Sequence, residues 1–143
     1  MDRMKIMAVD EHLYLEGVPL AFKDSIKIKE FREDKTSKCI EFLHELTSDF
    51  LDQYNNVHGS ALALLSVLAA ENVARTQIFG DEYLVAISHT INFVSQPDTL
   101  ADLEIRSCII GKGGKIIHVQ TTITCNGKEL ANALTVFVVE ESV

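Results

Sequence analysis

From Ala61 to Val73 the sequence reads ALALLSVLAAENV, and a helix built through it has almost no polar side. Leu62, Leu64, Leu65, Val67, Leu68 and Val73 point in nearly every direction around an axis of 3.6 residues per turn. A surface helix keeps one apolar stripe; one that is apolar nearly all round has to be buried. One face of a flat sheet covers only one side of such a helix, so any sheet in this chain has to wrap around it. The run Ala61 to Ala70, with Ser66 inside it, falls short of the ~20 residues that cross a bilayer, which makes it a core helix and not a membrane insertion. Gly59-Ser60 marks its beginning, with Ser60 suited to a cap, and Gly80 stops it after about Phe79.

The remaining segments read as strands. "SIKIKEF" carries Ile26, Ile28 and Phe31 between lysines, "REDKTS" is a charged turn and "KCIEFLHEL" returns, giving a hairpin before the helix. After Gly80 the period changes to two. "EYLVAISHTINFVS" runs to Pro97, "DLEIRSCII" meets the turn "GKGGK", and "IIHVQTTITC" alternates Ile117, Val119, Thr121 and Ile123 against His118, Gln120, Thr122 and Thr124. Asn126-Gly127 then predicts a two-residue type I′ turn into "KELANALTVFVVEE". The order hairpin, long helix, meander of about four strands is α+β. Residues 1–24 form an N-terminal extension with a weak helical pattern broken by "EGVP", and residues 25–143 form the domain.

A chain of 143 residues, 47% hydrophobic, has room for one compact domain and not two. Its net charge of -8 with no basic run argues against nucleic-acid binding. Cys39, Cys108 and Cys125 are odd in number and form no CxxC pair, so they read as core thiols in a reducing compartment, and the first residues resemble neither a secretory nor a transit signal; the expected location is cytoplasmic. The histidines His12, His44, His89 and His118 are too scattered for a metal motif, so no metal is expected.

Chemistry gathers at the mouth of the helix. The first turn has N–H groups without intrahelical acceptors and a partial positive charge, so a carbonyl that develops oxyanion character is stabilised there. His58 and Gly59 stand at that point, although a His-Gly pair also serves simply as a tight helix start. In "GKGGK", Lys112 and Lys115 flank Gly113 and Gly114, which let an anionic ligand approach the backbone; Lys128 belongs to the turn at the other end of the sheet.

The segments "NNVHGSALALLSVLAAENVA", "SHTINFVSQPDTLADLEI" and "GKGGKIIHVQTTITCNGKELANALTVFVV" together resemble the hotdog-fold acyl-CoA thioesterases of the phenylacetate-degradation type, over roughly residues 25 to 139. The resemblance implies a sheet wrapped round the helix, a homodimer or dimer of dimers with sites between protomers, and hydrolysis of an acyl-CoA without any cofactor beyond the coenzyme A of the substrate. It implies Gly59 as donor to the thioester carbonyl and His58 as a loop or substrate contact. Ser60, Phe93, Val94, Ser95, Lys112, Gly113, Gly114 and Lys115 would then bind substrate. The chain departs from the pattern at the helix acid, nine residues after His58, where it carries Val67; Glu71 lies one turn further, ~6 Å along the axis. The strand serine is matched by Ala86, with Ser88 nearby, and the asparagine six residues before His58 is Asp52. Asp52 is therefore the candidate base or nucleophile, against a plain loop role beside Asn55 and Asn56. A non-catalytic acyl-CoA-binding hotdog protein is the alternative, and Val67 favours it. A hydratase ranks third, because His58 and Glu71 lie ~18 Å apart along one helix and the His-Phe-Pro signature is missing.

Overall fold

The computed structural model describes residues 5–7 and 20–142. Among the described residues, seven antiparallel strands form one sheet around one α-helix: β1 (Lys5–Met7), β2 (Ile28–Asp34), β3 (Cys39–His44), α1 (Gly59–Ala74), β4 (Glu82–Phe93), β5 (Leu103–Gly113), β6 (Ile116–Cys125) and β7 (Lys128–Glu141). Their order across the sheet is β1-β2-β3-β5-β6-β7-β4, which leaves β1 and β4 at the edges. The hairpin, helix and meander are those expected from periodicity. Of the extension, Lys5–Met7 pairs with Phe31–Glu33 as a strand and Leu20–Ser25 forms a 3₁₀ turn, while most of the stretch with the weak helical pattern, "EGVP" and His12 lie outside the described residues. The charged turn is also shorter than expected. Arg32, Glu33 and Asp34 continue β2, and the reversal is made by residues 35–38, with Lys38 at positive φ and Asp34 Oδ1 accepting from the Thr36 and Ser37 N–H groups.

The helix is enclosed as its composition requires. Leu62, Leu65, Ala69, Ala70, Val73 and Ala74 are almost completely buried against Ile40, Phe42, Ile105, Ile117, Val119, Ile123 and Phe137. Bulges in β4, β5 and β7 interrupt the ladders and help the sheet to curl. The helix ends earlier than the sequence suggested: its regular part stops at Ala74, a 3₁₀ turn occupies Arg75–Gln77, and Gly80 takes positive φ in the turn into β4. Asn126 and Gly127 both have positive φ, as a type I′ turn demands.

Enclosure is incomplete along one stripe. Ala63, Leu64, Val67 and Glu71 are only partly buried, and beside them edge strand β4 exposes Tyr83, Val85 and Ile87. A polar link holds this strand to the helix. His89 Nε2 lies 3.2 Å from Ser66 Oγ, its Nδ1 lies 2.8 Å from Thr135 Oγ1, and Ser66 Oγ donates to the Ala63 carbonyl at 2.8 Å. Both ring nitrogens are thus engaged by buried hydroxyls. His44 is likewise a satisfied core histidine, accepting from the Lys27 N–H and donating to the Glu45 carbonyl, with its ring on Phe50.

The cysteines correct the sequence reading. Cys39 and Cys108 stand opposite each other on β3 and β5 and are joined by a disulfide; only Cys125 is a free, buried thiol. Spacing along the chain concealed this pair, because the bond depends on strand register and not on proximity in sequence.

Two predictions follow from these arrangements. Burial lowers the proton affinity of His44 and of His89, so each resists protonation in the folded state more than in the unfolded one. Stability from this source is therefore present above the unfolded imidazole value near 6.5 and is lost as pH falls through and below it. Melting temperature measured from pH 7.5 to 5 should fall on the acid side, and less steeply in His89→Gln. The disulfide closes a separation of 69 residues, for which chain entropy gives about 4 kcal/mol. Denaturant melts of the Cys39→Ser/Cys108→Ser protein should show a loss of that order, and reductant should reproduce it in the unmodified chain.

Candidate functional site

The loop before α1 is a miniature hairpin. His58 N–H donates to the Phe50 carbonyl at 2.8 Å, Asp52 N–H donates to the Asn56 carbonyl at 2.9 Å, and Leu51 and Val57 form a bridge between them. Asn55 takes positive φ at the tip, which Asn tolerates better than most residues. Asp52 closes the turn with one carboxylate oxygen: Oδ1 accepts from Tyr54 N–H at 2.8 Å and Asn56 N–H at 3.0 Å. The hydrogen bond from Asn56, reinforced by Tyr54 and by nearby His58, holds this carboxyl below its ordinary value against a weaker opposing pull from desolvation. Asp52 is consequently an ionised turn residue, held by the Tyr54 and Asn56 amides and by the Asn56 side chain.

This hairpin delivers the chain directly into the helix. His58 is the N-cap, in extended backbone geometry, and its Nδ1 accepts from Ser60 N–H at 3.0 Å while lying 2.7 Å from Ser60 Oγ. Capping therefore comes from the imidazole, and Ser60 supplies the capped amide where the sequence suggested that it was the cap itself. The His58 carbonyl takes the Ala61 and Leu62 N–H groups. Among the described residues no acceptor takes the Gly59 N–H, which remains at the positive end of the helix dipole.

Gly59 has no positive φ, so its backbone does not require glycine. Space does. A Cβ at this position would lie 3.1 Å from Phe93 Cζ, because the Phe93 ring packs over the helix mouth. Phe93 is 57% exposed and can move, so the corner is partly covered but not sealed. The chain beyond Phe93 is tied down nearby: Val94 N–H and Ser95 N–H reach the Leu130 carbonyl, Ser95 Oγ donates to the Glu129 carbonyl at 2.6 Å, and Gln96 contacts Val57. Sequence reasoning assigned Phe93, Val94 and Ser95 to the site and missed Gln96. Its signal was the buried Val57 backbone, whose partner no local pattern could name.

The lysine-glycine turn is at the other end of the molecule. Lys112 Nζ donates to the Gln77 carbonyl, just beyond the helix C-terminus, and Gly114 turns the β5–β6 hairpin with positive φ before Lys115, whose carbonyl accepts from Val139. A helix of 16 residues is ~24 Å long, so within one protomer Lys112, Gly113, Gly114 and Lys115 are separated from His58 and Gly59 by about that distance. Lys128 lies in the turn at the opposite end of β6, paired with Asp98 at 3.1 Å.

Of the other candidates, Val67 faces the half-covered stripe, and Glu71 lies one turn beyond it, 3.6 Å from Arg75. Burial pushes the Glu71 carboxyl up, against the pull of that guanidinium. Ala86 shares the side of the sheet occupied by its buried partner Phe137, whereas Ser88, past the bulge, pairs with half-buried Val136 on the outer side. The Ser66-His89-Thr135 chain has the residue types of a nucleophile-base relay, but Ser66 is 1% exposed and already donates to Ala63, so it acts as a structural link.

No protein-family model matches the chain, and no curated protein matches it. Solved structures do. The chain is similar to a phenylacetic acid degradation-related protein from Ralstonia eutropha JMP134, with TM-score 0.74, 17% identity, and 90% of this chain and 98% of that one covered. It is similar to a thioesterase from Haemophilus influenzae, with TM-score 0.78, 17% identity, and 94% and 92% covered. A third similar structure, a Streptococcus mutans UA159 protein bound to acetyl-CoA, gives TM-score 0.68, 19% identity, and 82% and 90% covered. With its long helix wrapped by an antiparallel sheet, the chain has the α+β hotdog fold of the similar thioesterase structures.

Proposed function

We propose that the protein is an acyl-CoA thioesterase that works as a homodimer or a dimer of dimers, with Gly59 N–H as the oxyanion donor. The carrying observation is the helix mouth: an amide without an acceptor, at the positive end of a buried helix, beneath a movable aromatic ring. One such donor is worth ~3 kcal/mol to a tetrahedral oxyanion. His58 orients the turn through its cap, and the substrate contributes coenzyme A without any further cofactor. The similar structures named as thioesterases or bound to acetyl-CoA support the substrate class.

Water has to be activated by a carboxylate, and the family's usual acid position is Val67. Asp52 is assigned that role in this reading. Its Oδ1 is fixed by the turn, the Asn56 side chain also reaches the carboxylate, and the lowered pKa keeps it ionised at neutral pH. Glu71, held up in pKa and lying on the stripe that a partner would cover, is the competing base. Asp52→Asn retains an oxygen that can cap the turn, so it isolates charge from structure.

A dimer supplies what one protomer separates. Strand β4 offers 12 residues of free edge with exposed Tyr83, Val85 and Ile87, next to the partly buried helix stripe. An unprotected apolar edge of this length is a template for pairing. Antiparallel pairing of β4 with its copy reverses the second protomer, so the partner's hairpin tip with Lys112, Gly113, Gly114 and Lys115 comes to the end where Gly59, Ser60, Phe93, Val94 and Ser95 stand. Cations and glycine amides then become available to the phosphates of coenzyme A. The cytoplasmic assignment loses its cysteine argument to the Cys39–Cys108 bond; among the described residues, no helix is long and apolar enough to cross a membrane.

The non-catalytic alternative rests on Val67 and makes a different prediction in one assay. Purified protein mixed with a panel of acyl-CoAs and a thiol reagent should release free coenzyme A, and Asp52→Asn should reduce the rate about 100-fold or more with the melting temperature retained. Thermal stabilisation without thiol release would establish a binder. Loss of turnover in Glu71→Gln with Asp52→Asn active would transfer the base to the helix. Sedimentation should find a dimer or larger, and Ile87→Lys should shift it toward monomer with parallel loss of turnover; an active monomer would end the shared-site reading.

A further inference from the structure

Val57 is 2% exposed, and its backbone has an unusual pair of partners. In the miniature hairpin the ladder bonds are made by the residues on either side, His58 with Phe50 and Asp52 with Asn56. Val57 and Leu51 face each other between those bonds, so the Val57 N–H and C=O point away from the ladder, where a third strand would ordinarily meet them. Among the described residues no third strand is there. Gln96, from the connection after β4, supplies both partners with one planar amide: Val57 N–H donates to Oε1 at 2.8 Å, and Nε2 donates to the Val57 carbonyl at 3.1 Å. Buried backbone groups have to be paired, and this single side chain pairs two of them.

The consequence reaches the helix mouth. The peptide between Val57 and His58 is fixed at its carbonyl by Gln96 and at its N–H by Phe50. The next peptide, between His58 and Gly59, is fixed at its carbonyl by Ala61 and Leu62, and its N–H is the unengaged one. Gln96 also lies three residues after Phe93, whose ring covers Gly59. One side chain therefore joins the loop that leads to the donor amide to the segment that carries its cover.

We propose that Gln96 is the positioning residue of the site: its amide clamps Val57, and through the adjoining peptide it fixes where the Gly59 N–H and the Phe93 ring stand relative to each other. This rests on the thioesterase reading for its kinetic consequence, but not for the clamp itself. Gln96 touches no reacting atom in this scheme. It acts on geometry alone, so it should affect the chemical step more than substrate affinity.

The test compares the unmodified protein with Gln96→Leu, which removes both hydrogen bonds, and Gln96→Glu, which keeps an acceptor for the Val57 N–H. Amide exchange and ¹H–¹⁵N spectra read the Val57 and Gly59 amides directly, and steady-state kinetics on the best acyl-CoA read kcat and KM. In Gln96→Leu the Val57 amide should exchange about tenfold faster or more, the Gly59 resonance should shift, and kcat should fall about tenfold or more with KM within about threefold. Gln96→Glu should protect Val57 more than Gln96→Leu does; it also serves for the comparison should the Leu variant not fold. Unchanged Val57 and Gly59 signals in both variants would overturn the clamp, whatever the activity. Disturbed amides with undiminished kcat would overturn the positioning role. Disturbed amides in a protein whose unmodified form hydrolyses no acyl-CoA would uphold the clamp and defeat the thioesterase reading.

Discussion

A helix that is apolar on nearly every side can persist in water only if something other than water touches each side, and the rest of this molecule answers that demand. The sheet supplies most of the cover, curling through bulges so that β3, β5, β6 and β7 all present side chains to α1. Burial of a large aliphatic side chain contributes about 1.5–3 kcal/mol, and Leu62, Leu65 and Val73 are each about 1% exposed. The cover runs out along Ala63, Leu64, Val67 and Glu71. Edge strand β4 lies beside that gap, is itself poorly covered, and is held to the helix by Ser66, His89 and Thr135. The same shortage of cover that leaves the helix unfinished therefore places an open strand edge and an apolar stripe side by side.

Much of this was legible in the residues. The all-round apolar run predicted a wrapped sheet, alternation identified Ile117, Val119, Thr121 and Ile123 as one buried face, and Asn126-Gly127 announced its turn. What escaped was anything set by pairing at long range. The Cys39–Cys108 bond joins residues that only strand register makes neighbours. The strand at Lys5–Met7 exists because β2 offers an edge, not because three residues have a strong local preference. Helix length was overestimated because "ENVARTQIF" keeps an apolar spacing that continues through a 3₁₀ turn, where hydrogen bonding and not composition decides the end.

The site was legible in part for the same reason. His58 and Gly59 follow from the chemistry of a helix start, which is local. The roles within that start were not resolved by residue type: histidine, and not the adjacent serine, caps the helix, because an extended His58 backbone puts Nδ1 within reach of the Ser60 amide. The lysine-glycine turn was recognised, but its distance from the mouth depends on which end of the sheet β5 and β6 close. Gln96 could not be found at all from sequence, since glutamine at the surface of a loop carries no signature until the unpaired Val57 backbone lies opposite it.

The glycine at the mouth shows how such a site can depend on space more than on backbone freedom. Gly59 sits in ordinary helical geometry, where alanine is favoured by roughly 0.5–1 kcal/mol. The missing methyl group leaves room for the Phe93 ring, whose Cζ would otherwise lie 3.1 Å from it. The ring partly covers the Gly59 corner without offering the amide an acceptor. An amide in that condition interacts weakly with its own chain and more strongly with an oxygen that arrives carrying charge, because lower local polarity enlarges the difference between a carbonyl and an oxyanion. Selectivity for the charged state over the neutral one is what catalysis at a helix mouth requires. In the proposed reading the omitted methyl group, the covering ring and the adjoining peptide held in place would supply it.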